Sequence, residues 1–169
     1  MFWKSHKEDD EKKRLRSVFG HLVSPSVVES LLKGELSLPP FTEEQLEFII
    51  AIVVGGTPEE MNRYFSLIGE LAREHDAQVN AMTCSLVVIH FWHHPEGKLA
   101  CESRRKLVGA IHEKLGDKVK VVHGAAKGHY GLYGSEKHIM SFTFTFPGFE
   151  AAIATLARLK FGEMEELIQ

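Results

Sequence analysis

L-E-F-I-I-A-I-V-V-G-G-T, residues Leu46 to Thr57, is apolar at nearly every position and rich in β-branched residues. A short run that is apolar on both faces suits a strand in the middle of a sheet. Just upstream, Thr42-Glu43-Glu44-Gln45 has the form of a capping box, so residues 43 to 53 could be helical if taken alone. The β-branched content and the Gly55-Gly56 stop favour a strand from about Glu47 to Val54. Downstream, Thr57-Pro58-Glu59-Glu60 is a stronger capping box, with proline where a helix tolerates it. Met61, Tyr64, Phe65, Ile68, Leu71, Ala72 and His75 then keep helical spacing. This predicts a helix of roughly five turns, with His75 packing or capping at its end.

Working outward, Val79 to Trp92 is a second β region with its core at Leu86 to Phe91. Its first part, Val79 to Thr83, can form a separate strand joined at Cys84-Ser85. His93-His94-Pro95-Glu96-Gly97 reads as a loop. Lys98 to Leu115 reads as a second long helix, with Leu107, Val108, Ile111 and Leu115 inward and Gly116 as its stop. Lys118 to His123 is a third strand, and Ile139 to Phe146 a fourth in which S-F-T-F-T-F alternates strictly. Gly148 opens a helix through Leu159, with Phe149, Ala152, Ile153, Leu156 and Leu159 inward. Glu163 to Gln169 is expected to be a short helical turn.

Toward the N-terminus, Glu8/Lys12, Asp9/Lys13 and Asp10/Arg14 are acid-to-base pairs at helical spacing. Leu15, Val18, Phe19 and Leu22 add a narrow apolar stripe, either a solvated arm or a lead-in that pairs two chains. Ser24-Pro25 starts another helix, and Leu38-Pro39-Pro40 is a linker. The expected organisation is a helical lead-in over 1–40 and one α+β domain over 41–169. Its fold would be ferredoxin-like, a mainly antiparallel sheet with helices on one face. The other face would then be open. Because the first strand is apolar on both sides, a partner is expected to cover it.

Composition removes several classes. The net charge is −3, and the Arg104-Arg105-Lys106 triplet reads as a solvated helix face, so no nucleic acid is expected as a partner. The two cysteines, Cys84 and Cys101, form neither a C-x-x-C pair nor a disulfide framework, which fits a reducing cytoplasm. No run approaches the ~20 apolar residues that cross a bilayer, and the first residues hold no signal-peptide core. Ten histidines are many for 169 residues. His90, His93 and His94 lie close together as weak metal candidates against a background of surface histidines, and no metal or other cofactor is expected. Gly124 to Gly134, with Lys127, lacks the order of a phosphate-binding loop and reads as a tight turn.

Ser17 to Glu35, S-V-F-G-H-L-V-S-P-S-V-V-E-S-L-L-K-G-E, resembles the segment leading into class III adenylate and guanylate cyclase domains. A strand ending in glycine and threonine and a long helix follow at that family's spacing. H-G-A-A-K-G-H-Y-G-L-Y-G-S and Ile153 to Leu159, I-A-T-L-A-R-L, resemble its later motifs. The resemblance implies a nucleotide-cyclase-like fold. It also implies a reaction closing a nucleoside triphosphate to its 3′,5′-cyclic form, with two metal ions held by two aspartates. The aligned aspartate positions here are Ile52 and Ser85. A purine-selecting lysine aligns with Ala81 and a transition-state asparagine with Ala154. Of these positions only the transition-state arginine keeps its residue, at Arg158. The chain ends about ten residues later, where the family continues with a hairpin bearing a phosphate-binding lysine. The expectation is a catalytically silent domain that forms a homodimer or pairs with a cyclase-like partner. A nucleotide binder or cyclase with other metal ligands is the alternative, and a histidine-based metal-binding protein the third.

Overall fold

Strand pairing, not local helix preference, governs the first element. The computed structural model describes residues 33, 42–91, 98–133 and 141–168. Thr42–Val53 is one strand, β1, so the Thr42 capping-box pattern is overridden and the strand starts earlier than its apolar run. A helix start contributes about 1 kcal/mol, whereas β1 is laddered on both sides. It pairs antiparallel with β3, Leu86–Phe91, and along its whole length with β4, Val119–Tyr133.

Helix α1, Pro58–Glu74, starts as its sequence predicts. Thr57 Oγ1 accepts from the Glu60 N–H at 3.2 Å, and the Glu60 carboxylate accepts from the Gly56 N–H at 2.7 Å. His75 caps its C-terminal end, and Asp76 turns the chain at φ +53°. Strand β2, Ala77–Thr83, and β3 then form a hairpin across Cys84-Ser85, with Cys84 at φ +53°. Helix α2 spans Lys98–Leu115 as expected, and Gly116, at φ +50°, ends it. Strand β5 is Ser141–Thr145, helix α3 is Phe149–Arg158 and strand β6 is Met164–Ile168.

The sheet has six strands in the order β2-β3-β1-β4-β5, with β6 pairing parallel to β4. Strand β4 therefore serves two partners along its second edge: β6 beside Val121 to Ala125, β5 beside His129 to Tyr133. Alternation along β1 sorts the core. Ile49, Ala51 and Val53 face the layer made by α1 and α2. Leu46, Phe48 and Ile50 face Phe144, Phe146 and α3, with Phe48 stacked on Phe146 at 4.4 Å. The mixed α+β sheet is as expected, with α1 and α2 sharing one face. The second face, expected to be open, is covered in part by the chain's own α3 and the end of β5.

Two local expectations fail for tertiary reasons. The glycine-rich stretch is not a tight turn, because β4 runs straight through it. Its glycines admit neighbouring backbones: a Cβ on Gly124 would lie 2.4 Å from Leu167 O, and one on Gly128 2.5 Å from Thr145 O. The C-terminal M-E-E-L-I is strand, not helix, because β4 offers it an open edge and alternate residues find separate partners. The 1–40 lead-in, its family-like segment and the division at residue 40 lie outside the described residues.

Gly128→Ala should destabilise the domain by about 1–3 kcal/mol, since the obstacle is backbone and cannot rotate away. Urea unfolding measures it. A midpoint unchanged from wild type would show that β5 does not pack as closely as described.

Candidate functional site

Backbone pairing places Ile52 and Ser85 side by side. The Val53 N–H donates to the Ser85 carbonyl at 2.9 Å, and Ile52 is opposite Leu86. Both side chains are half-buried. A bulge between Val79 and Ala81 turns Ala81 onto the same face, where it and Ile52 pack against the second-face core. Ala154 and Arg158 lie on α3, the helix that covers this face. Ala154 is exposed, and Arg158, also exposed, donates to Thr155 Oγ1 at 3.2 Å. So the fold gathers Ile52 and Ala81 on one face, brings the Ser85 carbonyl to Val53 beside them, and sets Ala154 and Arg158 on the helix that covers that face.

Ile52 offers hydrocarbon and Ser85 a single hydroxyl, where hard divalent ions take carboxylate oxygens. Directly opposite Ile52 on β4 is Lys120. Its Nζ donates to Leu159 O at 3.2 Å and sits 5.4 Å over the Phe161 ring, which fixes a positive charge beside the position. Among the described residues no three His, Cys, Asp or Glu side chains converge as a metal centre.

Of the histidine candidates, His90 is on β3 and His93 and His94 lie outside the described residues. His90 is buried, with its ring 4.7 Å from that of Phe144. Burial pushes its pKa down to about 3, so it is neutral at physiological pH. It serves the core and is turned away from solvent.

A buried cluster of charged residues was not anticipated from sequence. Arg104, taken for part of a solvated face, is 2% exposed. Its guanidinium bridges Glu47 on β1, His123 on β4 and Glu166 on β6, the last at 2.7 Å. It also reaches Cys101 Sγ at 3.6 Å. A guanidinium has no acceptor, so His123 Nδ1 must accept and the ring is neutral, its proton on Nε2. Burial, reinforced by Arg104, lowers the His123 pKa to about 4. The Arg104 and Arg105 guanidiniums hold the Glu166 carboxyl below its ordinary range. The signal was present in the sequence: Arg104 is three residues before Leu107 and seven before Ile111, on the inward stripe of α2. Every charge in the cluster is paired within the fold, so its role is to tie β6 and α2 to the sheet.

No protein-family model matches this sequence, and no curated protein does. Solved structures do. The guanylyl cyclase Cya2 superposes with a TM-score of 0.57 at 10% identity, over 76% of this chain and 77% of that one. The adenylyl cyclase CyaB from P. aeruginosa gives 0.56 at 11%, over 76% and 79%. A bacterial light-regulated adenylyl cyclase gives 0.59 at 13%, over 79% of this chain but 46% of that one. The chain therefore has the fold of adenylyl and guanylyl cyclase catalytic domains. Among the described residues no helix is long and apolar enough to cross a membrane.

Proposed function

We propose that this chain is a catalytically silent cyclase-homology domain that acts as a dimerising regulatory or structural module. The observation that supports this reading is the Ile52–Ser85 pair. The two positions are neighbours along the β1–β3 ladder, neither carries a carboxylate, and Lys120 is opposite Ile52 on β4. A divalent cation placed there would lose most of its hydration for one hydroxyl and would face an ammonium group. The same packing that excludes the ions stabilises the strand, since burying an isoleucine contributes roughly 1.5–3 kcal/mol.

The dimer has a surface to use. With part of the second face closed by α3, the exposed large apolar side chains among the described residues are Val54, Phe161 and Met164, each about two-fifths accessible. Val54 and Phe161 sit at one end of the sheet, linked through Lys118 and Val119 by the Val54 N–H to Lys118 O and Gly162 N–H to Val119 O bonds. Met164, three residues after Phe161, begins β6. Apolar side chains gathered at one sheet end suit a second cyclase-like domain.

Two measurements test the reading. Incubation with ATP or GTP and manganese should yield no cyclic nucleotide above a protein-free blank, and calorimetric titration with the same mixture should show no saturable heat. Turnover, or tight metal-dependent binding, would move the chain to the alternative of a cyclase or nucleotide binder with other ligands. Sedimentation at micromolar concentration should show a dimer, and a clean monomer would remove the dimerising role.

A further inference from the structure

We propose that the edge strand β2 and helix α1 form a docking groove for an extended peptide segment of a partner protein, apolar with an acidic residue. This rests on the outer edge of the sheet and stands apart from the cyclase reading. Strand β2 ends the strand order, and among the described strands it pairs with β3 alone. Among the described residues one row of its backbone N–H and C=O groups has no strand beside it. Edge strands are ordinarily guarded by lysine or proline, but β2 is A-Q-V-N-A-M-T, with no charge and no proline in its seven residues. The opposite outlier, β6, carries two glutamates in five residues.

A cavity of about 300 Å³ runs between this edge and α1. Phe65 and Ala72 of α1 face Val79 and Met82 of β2 across it. The helix opens the space at Gly69, where a Cβ would meet nothing within 4 Å. Arg73 is the one ionisable side chain among the described lining residues, and it is exposed, so it gives the groove a positive end. A strand laid against a sheet edge gains main-chain hydrogen bonds, and alternate side chains enter the flanking groove. Here an apolar side chain would fill the space over Gly69, and an acidic one would meet Arg73. The carboxylate preference follows from charge complementarity, because no acid lines the groove to favour a basic segment.

Gly69 makes the test clean. Gly69→Leu fills the groove, and replacing a mid-helix glycine raises helix propensity by about 0.5–1 kcal/mol, so the fold is kept. The full chain is panned against a phage-displayed library of random peptides about ten residues long. Selected peptides are synthesised and titrated by fluorescence anisotropy. The expected result is micromolar binding by sequences that alternate apolar residues and carry Asp or Glu. Gly69→Leu should weaken binding ~10-fold or more, and Arg73→Glu should reverse the preference toward Lys or Arg. Amide resonances of Ala77 to Thr83 should shift on binding. An empty selection, peptides that bind Gly69→Leu as well as wild type, or basic sequences preferred by wild type would each overturn the proposal. So would self-association of the chain that Gly69→Leu abolishes, because the occupant would then be a second copy.

Discussion

Arg104→Met should cost the folded state roughly 3 kcal/mol. The guanidinium is 2% exposed and is the shared partner of Glu47, Glu166 and His123, so its removal strands Glu47 and leaves Glu166 to Arg105 alone. Glu47 keeps only 15% of its side chain in water and cannot recover its hydration without local opening. Glu166 keeps 34%, which screens its share and sets the figure at the low end of what breaking a buried ion pair costs. Arg104→Lys should recover only part of the loss, because an ammonium cannot present the planar fork that reaches three groups. Urea unfolding at neutral pH measures both. Glu166→Gln in the Arg104→Met background should cost much less than in wild type, since the two act through one contact. A loss below about 1 kcal/mol for Arg104→Met would mean the cluster is a solvated one.

Acid should destabilise this protein well before its carboxylates are protonated. His90 and His123 have folded pKa values of about 3 and about 4, both below the ordinary 6.5. A lowered value means that the native state refuses a proton which the unfolded chain accepts. Stability is therefore full above pH 6.5. It falls as the pH drops from there to about 4 for His123, and onward to about 3 for His90, and levels off below those values. At 1.36 kcal/mol per pH unit for one group, His123 alone accounts for a loss on the order of 3 kcal/mol. His90 is the more deeply buried of the two and adds a loss in the same direction. Glu166, held low by its arginines, begins to contribute below its ordinary value of 4.5. Unfolding free energies at pH 7, 6, 5 and 4 should fall steadily, and His123→Gln should flatten the slope. A profile level from pH 7 to 5 would contradict the buried neutral histidines.

Much of the architecture is legible in short stretches. The Thr57-Pro58-Glu59-Glu60 start, the helical spacing through Ala72, the Gly116 stop and the alternation ending at Phe144 and Phe146 are local patterns, and each produces its element. They are legible because capping and periodicity act over a few residues. Where local and distant terms disagree, the sequence misleads. M-E-E-L-I has helix-forming residues, yet the edge of β4 makes it a strand. Gly124 and Gly128 look like turn glycines until the backbones they admit are in place.

The candidate site divides in the same way. The sequence by itself determined what stands at the positions the cyclase resemblance aligns: Ile52, Ser85, Ala81 and Ala154 carry no metal-binding carboxylate in any conformation, because side-chain chemistry is fixed by the genetic identity of the residue. It did not determine that Ile52 and Ser85 meet, that Lys120 stands opposite, that α3 covers the face, or that Arg104 is buried among Glu47, His123 and Glu166. Those are decided by strand register and helix placement, which join residues tens of positions apart. Their energies come from burial and pairing that exist only once the whole sheet has formed.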